Sequence, residues 1–529
     1  MRQRRAAPSV SRLAPVICAW LRNDLRTHDS GVLHRAAELT RQRDMRTLPV
    51  YVFDPRQFQR TKQGMLKTGP FRALFLLQSV QVLRKRLRSL GSDLLVKVGY
   101  PEKVLPALLP KGSVLLTQQE VTSEELNVDT EVRSSLGDEV AWEYIWGSTL
   151  FHRADLPFRD DLGDVPDVFT NFKNKAEPEM AARVNQVPES FSGKRKQESK
   201  MNVRPCLPEL KKDYLPFPLE VDDTHQQLSW SIIPYPEDVP EPRMQDMAAL
   251  QFRGGEEEGL KRLQYYLFET DLVANYFGSR NGMLGGDYST KLAPWLAFGC
   301  VSPRKVFEQI REYESAKTAS KSTYWVLFEL MWRDFYRFFA GKHGDDIFKL
   351  GGVRGKLKIW NTDDYTFELW AEGRTGYPLI DANMRELQET GFMSNRGRQN
   401  VASFLVNDMR VDWRLGAALF EELLVDYDVT SNWGNWVSAA GLVTGRVNRF
   451  NIVKQAKTYD RDGAYVRHWI PELKHVPGKF IHEPWLMTNQ QKQEYSATEY
   501  PAPCVDPATF VEQYANDGKR KRRDKRRSR

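Results

Sequence analysis

The chain has 529 residues, of which 41% are hydrophobic, with 77 Lys and Arg against 69 Asp and Glu and a formal charge of +8. That length exceeds one ordinary core, so two or more domains are expected, and no run of about 18 apolar residues marks a membrane helix. The excess charge lies in the tail GKRKRRDKRRSR, Gly518 to Arg529, so the basic pI is a property of the tail and not of a groove in the body.

Nuclear import, nonspecific phosphate contact and plain solubility are open readings of that tail. The cysteines Cys18, Cys206, Cys300 and Cys504 are scattered without CxxC spacing. They fit a reducing compartment and argue against a zinc site or a disulfide framework. At the other end, MRQRRAAPSVSRLAP has the Arg and Ser and the lack of acids of an organelle transit peptide. It is short, and a disordered lead-in over residues 1–15 is the plainer account.

From Val16 to about Trp146 apolar runs alternate with helical patterns. The runs VICAWLR, LPVYVF, DLLVKVG, SVLLT and VAWEYI read as strands, with helices near 31–41, 70–90, 101–109 and 123–136 between them. Such alternation predicts a doubly wound parallel α/β domain over residues 16–150. No GxGxxG follows the first strand, so a dinucleotide site of the usual kind is not supported. A ligand would sit beyond the carboxyl ends of the strands, where Gln118, Gln119 and Glu120 fall; on spacing alone, loop polarity beside a helix start explains them as well.

Prolines and charges then accumulate in EPEMAARVNQVPESF, KRKQESK and YPEDVPEPR, a composition that builds no core of its own. Residues 151–258 are read as an interdomain connector. From Gly259 the pattern is helical, and ten of the fourteen tryptophans lie at or after Trp295, which predicts an aromatic-rich, all-α second domain over 259–490 and an extension over 491–529. Gly351, Gly352 and Gly355 lack the spacing of a phosphate loop. In FELMWRDFYR, Glu329 and Trp332 share a helix face. Tyr288 to Leu292 precede a helix, so their hydroxyl and N–H groups either receive a phosphate or serve as a simple cap.

The densest stretch runs from Phe392 to Trp436. Val401, Phe404, Leu405 and Met409, then Leu415, Leu419 and Leu423, recur at helical spacing and predict buried helix faces. Asn395, Arg396 and Arg398 open the first helix, and Asp426, Asp428 and Asn432 close the second. A buried arginine or aspartate is costly unless it meets an opposite charge or a polar ligand, so these residues form either a charge network or a binding site.

TGFMSNRGRQNVASFL, LLVDYDVTSNWGNW, YSTKLAPWLAFGCVSPR and FELMWRDFYR resemble the flavin domain of the photolyase/cryptochrome family, and WGSTLFHRADLPF and DVFTNF are similar to its DASH-type branch. The resemblance spans roughly residues 15 to 490. It implies FAD held at Tyr276, Ser289, Thr290, Lys291, Leu292, Asn395, Arg398, Asp426, Asp428 and Asn432, with Arg398 paired to Asp426 and Asn432 facing the flavin N5. It implies an electron chain through Trp360, Trp413 and Trp436, whereas the residue type alone reads as core packing. It further implies a pocket for a cyclobutane pyrimidine dimer formed by Glu329, Trp332, Asn395, Arg396 and Gln399. A 5,10-methenyltetrahydrofolate antenna would contact Glu120.

The activity implied is light-driven repair of pyrimidine dimers, preferentially in single-stranded DNA, by a monomer that needs neither metal nor membrane; RNA stays open as a partner. The nucleus or the cytoplasm is the compartment expected, with organelle import also open. Two departures bear on this. Ala293 stands where many members have Ser, which removes one phosphate contact. Ser438 stands where members usually carry a second aromatic, which predicts weaker lesion binding. The rivals are a photoreceptor that binds FAD and nucleic acid without efficient repair, and a nonspecific single-strand binder whose attachment collapses with salt.

Overall fold

The computed structural model describes residues 14–177, 201–218, 221, 227–243, 247–445 and 449–508. The basic tail, most of the Arg- and Ser-containing start and KRKQESK lie outside these residues. Five strands, β1 (Val16–Leu21), β2 (Arg46–Phe53), β3 (Leu95–Val98), β4 (Val114–Gln118) and β5 (Ala141–Ile145), form one parallel sheet in the order β3-β2-β1-β4-β5. Helices α1 (Gly31–Arg43), α2 (Pro70–Ser89), α3 (Pro101–Leu108) and α4 (Ser123–Leu136) supply the crossovers.

Every residue of β1 is buried, because alternate side chains serve two cores. Ile17, Ala19 and Leu21 join a large core that continues into the helical part, while Val16, Cys18 and Trp20 pack in a smaller one. A strand covered on both faces must be apolar throughout, which is why VICAWL reads as a continuous run. The strand order reverses between β1 and β4. The crevice at their carboxyl ends holds Arg22, Asp24, Gln118 and Glu120.

The stretch read as a connector is only partly one. α5 (Phe169–Ala176) buries Phe169, Phe172 and Ala176 in the large core, and Leu156, Leu162, Val165, Met201, Leu215 and Phe252 are also buried. These side chains are spaced too widely to show a periodicity.

The helical part comprises α6 (Glu256–Gln264), α7 (Tyr276–Ser279), α8 (Ala293–Ala297), α9 (Pro303–Ala316), α10 (Lys321–His343), α11 (Asp364–Ala371), α12 (Pro378–Thr390), α13 (Asn395–Ser403), α14 (Trp413–Leu423), α15 (Val429–Ala439), α16 (Ile452–Tyr459) and α17 (Ala464–Trp469). Its axis is α10, opened by a capping box between Ser320 and Thr323. The two parts are joined through polar groups: Arg26 donates to the Gly299 carbonyl at 2.8 Å, Arg304 pairs with Asp29 at 2.6 Å, and the Glu256 carboxylate accepts from the Thr27 N–H at 2.7 Å.

One helix face differs from expectation. Leu415, Leu419 and Leu423 are only half-buried, and the buried face of α14 is Trp413, Gly416, Ala417, Phe420 and Glu421. The reason is the Trp436 ring, which lies so close to α14 that a Cβ on Gly416 would run into it. Large rings fill the core here, and small residues opposite make room for them.

Candidate functional site

α10 places a row of functional side chains along one element. Glu329 is half-buried and pairs with Arg280 at 2.7 Å. Burial raises its pKa and Arg280 opposes the rise, leaving it above the ordinary carboxylate value. The Arg280 guanidinium lies 4.2 Å from the centroid of the Trp325 ring, a cation–π contact. Arg396 donates to Asn281 at 2.8 Å and to Gln399 at 2.9 Å, and lies over the Tyr459 ring. Asn395 and Gln399 are exposed. Glu329, Arg280 and Arg396 therefore bring a carboxyl group and two cations to a surface lined by aromatic rings.

Trp332 is less free than its sequence position suggests. Phe169 stacks on it at 3.7 Å between centroids and 9° between planes, and Tyr336 lies 5.7 Å away at 29°. A base can use at most the face that Phe169 leaves. Ser438 donates to the Gly434 carbonyl at 2.7 Å, so it is turned back on its own helix and forms no wall.

Behind this surface lies the charged network. Arg398 donates to both carboxylate oxygens of Asp426, at 2.9 and 2.8 Å, and to the Met393 carbonyl at 2.9 Å. Asp428 caps α15 by accepting from the Ser431 N–H at 2.9 Å. Burial pushes its pKa up, but Arg333, the Ser431 N–H and Thr430 outweigh this and hold it below the usual carboxylate value. Asn432 is buried and donates to the Ala417 carbonyl at 3.0 Å, which leaves its amide oxygen for another group.

The Tyr288–Leu292 run departs from the helix-cap expectation. Neither Ser289 nor Thr290 caps α8, whose N-cap is Leu292, and α8 spans only five residues. Instead Arg262 gathers the segment, donating to the carbonyls of Gly286, Ser289 and Thr290 at 2.9, 3.1 and 3.0 Å. Lys291 takes a left-handed φ of 53°, and only 3% of its surface is exposed. Its Nζ has no hydrogen-bond partner and sits 3.7 Å from the Tyr288 ring centroid and 4.2 Å from that of Phe392. Burial pulls its pKa down to about 7, with Arg262 and Arg398 adding to the drop against Glu386. An ammonium so placed, beside the unpartnered Tyr288 hydroxyl, suits an anionic group such as a diphosphate. Tyr276 is buried, edge-on to Tyr266 at 6.4 Å.

The three tryptophans lie on adjoining segments. Asn361 donates to the Arg410 carbonyl at 2.6 Å and bridges Val411, which brings Trp360 beside the start of α14. Trp413 opens that helix fully buried, and Trp436 packs on Gly416, one turn further along. Trp436 also meets Phe420 at 5.1 Å and Trp370 at 6.1 Å, both edge-on.

In the sheet crevice Glu120 is buried and accepts from Arg337 of α10 at 2.9 Å and from Gln118 at 3.2 Å. Arg22 Nε, Asp24 Oδ2, Ser148 Oγ and Arg337 Nε are buried without partners. Donors and acceptors left open together fit a planar heterocycle carrying both. Burial first, and then Glu120, raise Glu125 to about 7.

Sequence reasoning missed Arg280, Arg337, Phe169 and Arg262. Each acts on a residue far away in the chain, and although Phe169 lies in DVFTNF and Arg337 in FELMWRDFYR, neither motif reveals the distant partner.

Residues 17–190 match the family model described as DNA photolyase, and residues 325–519 that described as the FAD binding domain of DNA photolyase. The chain is 46% identical over 496 residues to cryptochrome DASH, chloroplastic/mitochondrial, of Ostreococcus tauri, covering 88% of this chain and 86% of that one. It is 43% identical over 509 residues to cryptochrome DASH of Synechocystis sp., covering 94% and 96%. The crystal structure of a Synechocystis cryptochrome superposes with a TM-score of 0.84 at 42% identity, over 95% of this chain and 99% of that one.

Proposed function

The chain belongs to the photolyase/cryptochrome family, in the branch of the DASH cryptochromes, and from that premise we propose that it repairs cyclobutane pyrimidine dimers in single-stranded DNA under blue light. Its FAD-binding domain holds FAD, which when bound supplies photochemical one-electron transfer to the lesion. The observation that carries the reading is the half-buried Glu329 carboxyl beside Trp332 on α10, with the Arg398–Asp426 network behind it. Glu329 hydrogen-bonds the pyrimidine edge in place of its bond to Arg280. Arg396, Gln399 and Asn395 hold the strand at the rim, and Trp332 meets the dimer on the face away from Phe169. A damaged dimer is poorly stacked, so extruding it costs less than extruding normal bases, and least in a single strand.

Arg398 sets a positive charge against the flavin, which favours an anionic ring. Asn432, whose amide oxygen is left free, would accept a hydrogen bond from the flavin ring. Trp360, Trp413 and Trp436 carry electrons inward from the surface. Folate occupies the crevice at Glu120, sharing that carboxylate with Arg337.

The test is repair of a thymine dimer in a single-stranded oligonucleotide by photoreduced protein, in light and in darkness. Light-dependent restoration of thymines should fall by about 10²-fold in Glu329→Ala, the usual cost of one pre-placed hydrogen-bonding group. Equal restoration in darkness, or an unaffected Glu329→Ala, would sink the proposal.

Lys291→Met tests the FAD site separately. FAD retention should weaken by about ten- to hundredfold, the worth of roughly 1.5–3 kcal/mol in a charged hydrogen bond, while the FAD-free protein gains stability. A Lys pKa lowered from 10.5 to about 7 means that the FAD-free fold loses stability as pH falls through that range, and the variant should not. A variant less stable than the parent without FAD would contradict this.

Ser438 favours a second reading, a photoreceptor that binds FAD and nucleic acid without efficient repair. A normal flavin spectrum with no restored thymine would select it. The name of the Ostreococcus relative places that protein in organelles, and the acid-free start is the feature of this chain that suits the same address. No helix among the described residues is long and apolar enough to cross a membrane.

A further inference from the structure

Indole N–H groups in this protein end at different kinds of partner. Trp370 donates to the Val401 carbonyl at 3.1 Å and Trp413 to the Leu350 carbonyl at 3.3 Å, while the Trp360 N–H is buried without a partner. Among the described residues, Trp433 is the tryptophan whose N–H reaches a carboxylate: it donates to Glu421 Oε2 at 3.2 Å and lies 3.2 Å from the Tyr427 hydroxyl. The Trp433 ring meets the Trp413 ring edge-on, with 5.8 Å between centroids and 79° between planes. Glu421 is held in place from across the domain boundary. Lys67 pairs with its other oxygen at 2.6 Å and with Glu124 of α4 at 2.7 Å, and Arg72 donates to its main-chain carbonyl at 2.6 Å. Trp433 itself is half-buried, with Phe348 edge-on at 5.0 Å.

These contacts supply what a redox-active indole needs. An indole that loses an electron becomes a strong N–H acid, and its oxidised state persists when the proton leaves. A carbonyl cannot take that proton, whereas a carboxylate can. We propose that Trp433 is a second outlet of the tryptophan chain, with Glu421 as the base that accepts its indole proton. The inference rests on the electron chain of the proposed function. An electron vacancy passed from Trp436 to Trp413 has two neighbours to move to, and at Trp433 it is fixed by chemistry and not by distance alone. Trp433 gives one electron to the oxidised Trp413 ring. Its Nε1–H bond then breaks, an O–H bond forms at Glu421 Oε2, and a neutral indolyl radical remains. A one-electron reductant in solution, a thiol or ascorbate, returns the electron, and Glu421 returns the proton. Lys67 keeps the carboxylate aimed at the indole. Because Lys67 and Glu124 belong to the α/β domain, this outlet depends on the two domains being docked.

The experiment is flash transient absorption of the FAD-loaded full chain, reading whether the tryptophan radical is cationic or neutral and how long it lives. The Trp360→Phe protein should still form a long-lived neutral radical, and its formation should slow in D2O. Adding Glu421→Gln should leave a cationic radical whose lifetime is shorter by about tenfold or more. Adding Trp433→Phe in place of Glu421→Gln should abolish the long-lived signal, which keeps the test open if loss of the carboxylate disturbs folding. The branch is overturned if Trp360→Phe alone removes the long-lived radical while short-lived oxidation of Trp436 and Trp413 persists; the chain of the proposed function would then stand without it. No tryptophan radical of any kind in the parent protein would remove both.

Discussion

Arg398→Ala should cost about 3–5 kcal/mol of unfolding free energy, the usual result of removing one partner from a buried ion pair. Asp426 is the reason. Only 4% of its side chain is exposed, and both of its oxygens accept from Arg398. Taking away the guanidinium leaves a buried carboxylate without its ion-pair partner, and it also frees the Met393 carbonyl. The loss should appear in urea unfolding as a lower midpoint with an unchanged slope. The paired replacement Arg398→Met with Asp426→Leu should recover most of the stability, because two apolar side chains need no countercharge. It should not recover FAD binding, which separates the structural cost of the pair from its role at the flavin. A loss under about 1 kcal/mol in Arg398→Ala would mean that Asp426 is solvated, contrary to its burial.

Asp334→Ala is the other large expectation. Asp334 is 1% exposed, and its two oxygens accept from the main-chain N–H groups of Leu150 at 3.0 Å and Phe151 at 2.8 Å. Those bonds fasten the segment after β5 onto α10. Alanine leaves two buried donors without partners, at about 1–3 kcal/mol each. Asparagine keeps one acceptor and should lose about half as much. The pair also predicts a pH effect. Burial raises Asp334 from 3.8 to about 7, against the two N–H groups and Arg333. The folded protein then binds more protons than the unfolded chain between those values, so this group's contribution to stability declines as pH rises from about 4 to 7. Asp334→Asn should flatten the stability profile over that range relative to the parent. An identical profile would show that Asp334 is ionised throughout.

Local chemistry carried much of the architecture into the primary structure. The strand runs and the four crossover helices of the α/β domain appear within a few residues of their expected bounds, because a strand buried on both faces must be apolar at every position and a crossover helix carries its own period. The cap that Asp428 forms on α15 was not legible in DYDVTS, where Asp428 reads as part of a charge network or a binding site, although a cap lies within three residues of its partner. The stripe Leu415, Leu419, Leu423 misled because helical spacing reveals a face but not what will cover it. The covering group is Trp436, which selected the face of Gly416 and Ala417.

The primary structure by itself thus determined the fold class, the order of the elements and the residue types gathered near α13 to α15. Only the tertiary structure decided the pairings that give those residues work: Arg337 on Glu120, Arg280 on Glu329, Phe169 over Trp332 and Glu421 against Trp433. The physical reason is one of range. Hydrogen bonds along a helix and alternation along a strand are settled between near neighbours. A buried charge or an aromatic face finds its partner only after distant segments have packed and water has been excluded.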